Sequence, residues 1–206
     1  MCHIILISFV SLKEGLPHEP PGNSLAGNHP LSPPTFHHKR HADFFLNVTS
    51  DPLVNRYLTW PLHQHLSETE QLLVKWSEQY ASPQRYCWAI VLKEPNQVIG
   101  TIAAPTVKDG TNTLEVTYCI GSRWWGNGLV AEVLCEVITY LFTTVQANRI
   151  EAGFDSNNPN SGRVMQKVGM QKEGVLRQAG RNNQGLFDLV FYAILREDWL
   201  AMTSHQ

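Results

Sequence analysis

Hydrophobic and polar positions along the chain fall into short apolar or alternating runs that are bounded by turn-forming residues. Three such runs, residues 86–92, 98–104 and 114–120, follow one another. Apolar runs of this length between turn signals are typical of β-strands. Residues 93–97 separate the first two and contain the Pro and Asn of a tight turn, so we predict a β-hairpin followed by a third strand.

The third predicted strand leads into a helical repeat. After residues 123–128, apolar side chains recur at i, i+1, i+4 and i+5, the spacing of one helix face. The positions are Leu129, Val130, Val133, Leu134, Val137, Ile138, Leu141 and Phe142. We therefore predict an amphipathic helix that packs this apolar stripe against a sheet.

The last part of the chain predicts strand, helix, strand and strand in turn. A strand at residues 149–154 precedes a short helix at residues 158–168, which Gly169 is expected to end. Two further strands, residues 170–178 and 186–195, are joined by a segment containing Asn and Gly and predict a second hairpin. The chain is therefore expected to finish in β structure.

Two helical patterns precede the first hairpin. The first, short and irregular, begins at Ala42. The second follows residues 67–70, which have the sequence of a capping box: a hydroxyl and a carboxylate that each satisfy an unpaired backbone N–H group. Pro83 is expected to end this second helix, because proline has no N–H to donate.

The N-terminal part of the chain has a different composition. Residues 11–40 contain six of the twelve prolines and almost no aromatic residues, so they are expected to form a linker or a poorly ordered arm. Before them, the apolar residues 4–10 are either an edge strand carried across that linker or an apolar tag, and the sequence leaves both open. We predict an arm at residues 1–41 and one domain at residues 42–206.

Composition narrows the class of protein. With 206 residues, 43% of them hydrophobic, the chain can close one sizeable core, and its net charge of −2 with scattered cations gives no footprint for nucleic acid. Residues 4–10 are too short to span a bilayer and have no basic region before them. The cysteines show no CxxC pair, and His37, His38 and His41 lack fixed ligand spacing. We expect a cytoplasmic protein that holds no metal and binds neither nucleic acid nor membrane.

The segment between the third strand and the long helix has the properties of an anion site. It reads Arg-Trp-Trp-Gly-Asn-Gly at residues 123–128. Backbone N–H groups converge at a helix N-terminus, the helix dipole adds positive potential, and Gly126 and Gly128 permit close approach. A phosphate group fits there, although a simple tight turn explains the same glycines.

From about residue 43 to residue 199 the chain resembles the GNAT superfamily of N-acetyltransferases, and in particular its branch of ribosomal-protein N-terminal acetyltransferases. The matching segments are residues 51–58 (DPLVNRYL), 99–102 (IGTI), 114–118 (LEVTY), 125–132 (WGNGLVAE), 158–170 (NPNSGRVMQKVGM), 173–177 (EGVLR) and 188–192 (DLVFY). The resemblance implies an α/β (α+β) fold, in which a mixed and mostly antiparallel sheet is splayed open at a coenzyme cleft and carries helices on both faces.

The resemblance also implies which residues hold acetyl-CoA. The backbone of Tyr118, Cys119 and Ile120 would face the pantetheine arm and the thioester. The pyrophosphate would be held by Arg123, Gly126, Asn127, Gly128 and Leu129. Asn158 and Ser161 match the family's NxxS motif near the thioester sulfur, while Asn158 is equally suited to be a plain helix cap.

Acetyl transfer to an amine requires a base for the ammonium and a proton for the departing thiolate. Glu115, on the strand beside the cleft, is the candidate base, and the alternative is a solvated strand residue. Ser161 is the candidate acid, and the alternative is an ordinary hydrogen bond in a first helical turn. Met165 stands where many relatives carry a tyrosine, and residues 178–183 lack the acid of some ribosomal-protein acetylating relatives, which argues against a ribosomal substrate.

We therefore expect an acetyl-CoA-dependent N-acetyltransferase that acts on a primary amine, either a protein N-terminus or a small molecule, as a monomer or homodimer. The alternative is a non-catalytic acyl-CoA-binding module of the same fold, suggested by the missing tyrosine and the missing acid. A third possibility is a relative in fold alone, whose N-terminal arm binds a partner.

Overall fold

A computed structural model describes residues 4–8, 38–79 and 85–204 of the protein. Within these ranges the strands are β1 (Ile4–Ser8), β2 (Tyr86–Leu92), β3 (Gln97–Lys108), β4 (Thr113–Ile120), β5 (Arg149–Asp155), β6 (Gln171–Asn182) and β7 (Gly185–Leu195). The helices are α1 (His38–Phe44), α2 (Pro52–Asn55), α3 (Leu66–Gln79), α4 (Leu129–Thr143), α5 (Pro159–Lys167) and α6 (Arg196–Thr203), and a π-helical turn covers Phe45–Thr49.

The strands form one sheet in the order β1-β2-β3-β4-β5-β7-β6. Neighbouring strands are antiparallel except β4 and β5, which are parallel and pair only where residues 113–115 lie beside residues 149–151. Beyond Glu115 the two strands separate. The predicted mixed, mostly antiparallel sheet that is splayed at one position is therefore confirmed, and the gap between β4 and β5 is the cleft.

Each face of the sheet carries helices, as predicted. On one face the apolar stripe of α4 buries residues such as Leu134 and Leu141 against Ile102, Leu114 and Ile150. Removing side chains of this size from water is worth about 2 kcal/mol each, so this face carries the larger core. On the other face, which we call the α1–α3 face, a smaller cluster buries Phe44, Val48, Val54 and Leu73 against the sheet residues Cys87, Ala89, Val91, Val98, Ala103 and Cys119.

The N-terminal segment contributes to the sheet. Residues Ile4–Ser8 pair antiparallel with β2, from Ile4 beside Leu92 to Ser8 beside Trp88. Of the two alternatives for residues 4–10, the structure therefore has the edge strand, while residues 9 and 10 and the proposed linker up to residue 37 lie outside the described residues. Helix α1 begins at His38, four positions before the predicted start at Ala42.

The capping box predicted at residues 67–70 is wrong. Helix α3 begins at Leu66, so the serine of that box already lies inside the helix. The carboxylate of Glu68 instead accepts hydrogen bonds from the backbone N–H groups of Gln64 (2.7 Å) and His65 (2.8 Å). One acid in the first turn thus stabilises the chain entering the helix.

The prediction that the chain finishes in β structure is also wrong, because α6 follows β7. The backbone N–H of Leu195 donates to Asp198 (3.3 Å), and the guanidinium of Arg196 donates to the carbonyl of Phe142 (2.6 Å) at the end of α4. Acids in the first turn and docking against α4 favour the helix. Among the described residues, no helix is long and apolar enough to cross a membrane.

Candidate active site

The separation of β4 from β5 opens a cleft of about 710 Å³ that runs across the molecule. One end lies at the start of α4, and the middle lies between β4 and α5. The other end, which we call the acceptor end, lies under the segment from α2 to Trp60. The cleft therefore brings the segment after α2 close to α5, although about a hundred residues separate them in the sequence.

The first end has the shape of an anion cradle. Gly126 and Gly128 have φ angles of +80° and +77°, and a Cβ atom on either would meet no other atom within 4 Å. The loop is therefore open where a ligand would approach, and its backbone conformation favours glycine. Because α4 begins at Leu129, its first backbone N–H groups have no acceptor within the helix and point toward this loop. The residues present fit a pyrophosphate.

The cradle is fixed by side chains of its own segment. The indole of Trp125 donates to the carbonyl of Ile120 (2.9 Å), and the amide of Asn127 donates to the carbonyl of Trp124 (3.3 Å). The carbonyl of Ile120 is thus already engaged. Arg123 lies with its guanidinium 5.9 Å from the ring centroid of Trp124 and does not line the cleft, so its predicted contact with pyrophosphate stays a prediction.

In the middle of the cleft, three of the predicted residues meet. The phenol of Tyr118 donates to the carbonyl of Ser161 (3.0 Å), and the amide of Asn158 donates to Oγ of Ser161 (3.1 Å). Asn158 makes no side-chain hydrogen bond to the backbone of α5, so its alternative role as a side-chain cap is not what the structure shows. Burial raises the pKa of Tyr118 well above its ordinary value. Cys119 also lines the cleft, 3.3 Å from the hydroxyl of Thr101.

Glu115 lies at the closed end of the cleft, where β4 and β5 are still paired. It stands beside Glu151 in the register of the two strands and does not line the open part of the cleft. Burial raises its pKa, the neighbouring charge of Glu151 raises it further, and Lys108 partly offsets both. Lys108 and Arg149 both form ion pairs with Glu151. Of the two neighbouring carboxylates, Glu151 is therefore ion-paired, and Glu115 forms no ion pair with any described residue.

The acceptor end is built from aromatic side chains. Tyr57, Leu58 and Trp60 come from the segment after α2, and Trp76 comes from α3. The rings of Trp60 and Trp76 meet edge to face with centroids 5.5 Å apart, which is a favourable arrangement for aromatic pairs. Polar atoms at this end come mainly from Thr59, Thr101 and Thr117.

Three charged residues that line the cleft were missed from the sequence: Asp155, Arg163 and Lys167. Arg163 and Lys167 are four positions apart on the predicted helix, a spacing that places both on one face, so the pattern contained the signal. Asp155 directly follows the predicted strand at residues 149–154. Its position at the end of a strand that borders the cleft was therefore a further signal. Among the described residues that line the cleft, Asp155 is the only acid.

A model of one protein family matches residues 31–171, and its description is the acetyltransferase (GNAT) domain. The chain belongs to the GNAT acetyltransferase family. Acetyl-CoA is the co-substrate of this family. The matched segment begins inside the N-terminal region that we assigned to an arm and ends at the start of β6.

Curated relatives agree with this assignment, and a solved structure shares the fold. The chain is 27% identical over 158 residues to "Uncharacterized N-acetyltransferase p20" of Bacillus licheniformis, covering 77% of this chain and 89% of the relative. It is 23% identical to "[Ribosomal protein uS5]-alanine N-acetyltransferase" of Escherichia coli K12, covering 75% and 93% of the two chains. The crystal structure of "Microcin C7 self immunity acetyltransferase MccE in complex with Acetyl-CoA and AMP" superposes with a TM-score of 0.69 at 17% identity, over 77% and 88% of the chains.

Proposed function

We propose that this GNAT protein transfers the acetyl group of acetyl-CoA to the nitrogen of a primary amine, either on a protein N-terminus or on a small molecule. The observation that carries the proposal is the continuous cleft that has an anion cradle at one end, the Tyr118, Asn158 and Ser161 group in its middle and an aromatic wall at the other end. A coenzyme held by its pyrophosphate at the cradle would bring its thioester to the middle of the cleft, next to an amine at the aromatic wall.

The reaction moves one acetyl group and two protons. A protonated amine first loses a proton to a base; its nitrogen then attacks the thioester carbonyl, the C–N bond forms and the C–S bond breaks. The nitrogen loses its second proton, which replaces the one that the thiolate of CoA takes up. Glu115 is the proposed base, acting through water, because it stands on the α1–α3 face at the closed end of the cleft. Ser161 is the proposed donor to the thiolate, since its Oγ accepts a hydrogen bond from Asn158 and keeps its own proton available.

Binding and turnover are measured separately to test the proposal. Acetyl-CoA binding is followed by calorimetry, and release of free CoA is followed by a thiol reagent with a panel of amines and short peptides. Gly128→Ala is the binding variant, because alanine at φ +77° is strained and its methyl group projects into the cradle. Gly110→Ala is the matched control, since a methyl group there meets nothing within 4 Å and no left-handed backbone is required.

We expect wild type and Gly110→Ala to bind acetyl-CoA equally and Gly128→Ala to bind it about tenfold more weakly, the equivalent of one lost hydrogen bond. Wild type should also release CoA with at least one amine. If wild type binds acetyl-CoA but releases no CoA with the whole panel, the non-catalytic module is favoured. Equal binding by all three proteins would remove the cradle as the coenzyme site.

A further inference from the structure

Asp155 is a buried carboxylate at the wall of the cleft, with 6% of its surface exposed. One oxygen accepts from the backbone N–H (2.8 Å) and the side-chain amide (3.0 Å) of Asn157, and the other accepts from the amide of Asn182 (2.7 Å). Within residues 4–8, 38–79 and 85–204 it forms no ion pair. A buried charge that is hydrogen-bonded but not neutralised is suited to a cation that arrives from outside.

The alternation of β5 shows which part of the cleft Asp155 faces. Ile150 and Ala152 are buried in the core beneath α4, so the intervening positions point to the opposite side of the sheet. Asp155 therefore lies on the α1–α3 face, as Cys119 does on β4. This is the side of the aromatic wall and not the side of the α4 core.

One cation lies against the aromatic wall from outside the cleft: the guanidinium of Arg56 is 5.0 Å from the ring centroid of Tyr57, and Arg56 is not among the residues that line the cleft. The described residues that line the cleft include only three charged side chains, and the two cations, Arg163 and Lys167, belong to α5. Tyr57, Trp60 and Trp76 offer ring faces and edges instead. A ligand with one ammonium group and an apolar body finds partners for both parts here, whereas a second ammonium on the ligand finds no second acid among the described residues that line the cleft.

The two sides of the acceptor end are tied together above Asp155. In the turn between β6 and β7, Asn183 donates through its amide to the carbonyls of Asn55 (2.9 Å) and Trp60 (2.7 Å), and through its backbone to the carbonyl of Leu58 (3.1 Å). The phenol of Tyr57 donates to the carbonyl of Asn157 (3.2 Å). These bonds bound the acceptor end and favour a small ligand over a polypeptide.

We propose that the acceptor is a small primary amine with a single positive charge and an aromatic or bulky apolar body. Its ammonium group binds Asp155, and its body lies among Tyr57, Trp60 and Trp76. This inference rests on the proposed acetyl transfer, for which it supplies the substrate class. Asp155 holds the cationic amine, and a chain of waters along the α1–α3 face, about 13 Å long, would relay its proton to Glu115.

The test titrates 2-phenylethylamine into the protein saturated with CoA, so that binding is read without turnover. Asp155→Asn removes the charge. The double variant Asp155→Asn with Asn182→Asp moves the charge to the neighbouring position and retains every hydrogen bond of the group, because amide and carboxylate exchange places. 2-Phenylethanol is the ligand control, since it has the same apolar body and no ammonium.

We expect both variants to bind 2-phenylethylamine about tenfold or more weakly than wild type, the effect of losing one charge-assisted contact, while 2-phenylethanol binds all three proteins alike. The Kd for CoA should not change. Steady-state turnover should favour 2-phenylethylamine over spermidine and over a peptide that begins with alanine, by kcat/KM.

Recovery of 2-phenylethylamine binding in the double variant would show that Asp155 only organises the loop and would overturn the proposal. A higher kcat/KM for spermidine or for the peptide would overturn the substrate class. Normal, Asp155-dependent binding of 2-phenylethylamine with no CoA release from acetyl-CoA would refute acetyl transfer and leave the amine site standing, so the two failures are distinguishable.

Discussion

Glu115 and Asp155 are two carboxylates on the same face of the sheet, and their surroundings give them different properties. Glu115 stands beside a second acid at the closed end of the cleft, and burial together with that neighbour raises its pKa. Asp155 stands four residues beyond Glu151 on β5, about 13 Å along the strand, and accepts three hydrogen bonds. A raised pKa suits a group that must pick up a proton, and a carboxylate that hydrogen bonds fix in place suits a group that must hold a ligand.

The proposed role of Glu115 predicts a particular dependence of rate on pH. A carboxylate acts as a base only when it is ionised, so kcat/KM should fall as pH drops through its raised pKa. Glu115→Gln should lower kcat by about a hundredfold, the usual contribution of general base catalysis, and should remove this acidic limb. The measurement is a pH profile of acetyl transfer to 2-phenylethylamine, with the Kd for acetyl-CoA determined beside it.

The comparison variant for this profile is Asp155→Asn. It should raise KM for the amine and leave the acidic limb of kcat in place. If the limb instead persists in Glu115→Gln and disappears in Asp155→Asn, Asp155 is the base and Glu115 is not.

At the scale of elements, α2 and the anion cradle are connected through one side chain. Asp51 precedes α2 and accepts hydrogen bonds from the backbone N–H groups of Leu53 (2.9 Å) and Ser122 (2.9 Å). The first bond caps the helix, and the second holds the residue that precedes Arg123. Burial alone would raise the pKa of Asp51, but its hydrogen bonds, led by those from Ser122, lower it below the ordinary value.

Asp51→Asn should therefore affect both stability and coenzyme binding. We expect the free energy of unfolding to fall by about 1 kcal/mol, because the amide oxygen of asparagine can still cap α2 but accepts a weaker, uncharged hydrogen bond from Ser122. Acetyl-CoA should bind more weakly because the cradle is less firmly held. A lowered pKa contributes stability above the unfolded value of about 4, and this contribution is lost as pH falls through the folded pKa. The difference between wild type and Asp51→Asn should thus be full at neutral pH and shrink in acid.

Urea unfolding at several pH values measures this difference. Glu78→Gln on α3 is the control, because that carboxylate is exposed. A stability difference for Asp51→Asn that is unchanged down to the lowest pH, or one that Glu78→Gln reproduces, would contradict the linkage between this cap and the cradle.

Local patterns predicted most of these elements, and the errors have physical causes. The apolar stripe of α4 and the two hairpins depend on residues close in sequence, and the structure has them. The predicted capping box was wrong because Glu68, and not Glu70, accepts the backbone N–H groups at the start of α3. α6 was missed because its docking on Phe142 joins residues 54 positions apart, which periodicity does not show.

The same distinction applies to the candidate site. Gly126, Gly128, Asn158 and Ser161 are found in short motifs, so the sequence places them in the cleft. The acceptor end depends on the bond from Asn183 to Asn55, 128 positions away, and on the direction in which Asp155 leaves β5. Only the fold brings these residues together, and the proposed acceptor class depends on them.

The whole molecule is organised around the short contact between β4 and β5. The sheet is continuous from β1 to β4 and again from β5 through β7 to β6, and the two parts touch through residues 113–115 and 149–151. Away from that contact they are linked by α5, through Tyr118 and Ser161, and by the turn that holds Asn183. The opening is thus part of the fold.

The short contact leaves β4 with an unpaired edge inside the molecule. From residue 117 to residue 119 the strand pairs with β3 on one side, while β5 offers the other side no partner. The alternate amide protons on that side should exchange quickly with deuterium in the free protein, although the side chains around them are buried. Acetyl-CoA should slow the exchange of these amide protons. The exchange of the β4 amide protons that are bonded to β3 should hardly change. This result would mean that the amide groups of the coenzyme pair with the free edge of β4 as a neighbouring strand would. Mass spectrometry of the labelled peptide measures the exchange.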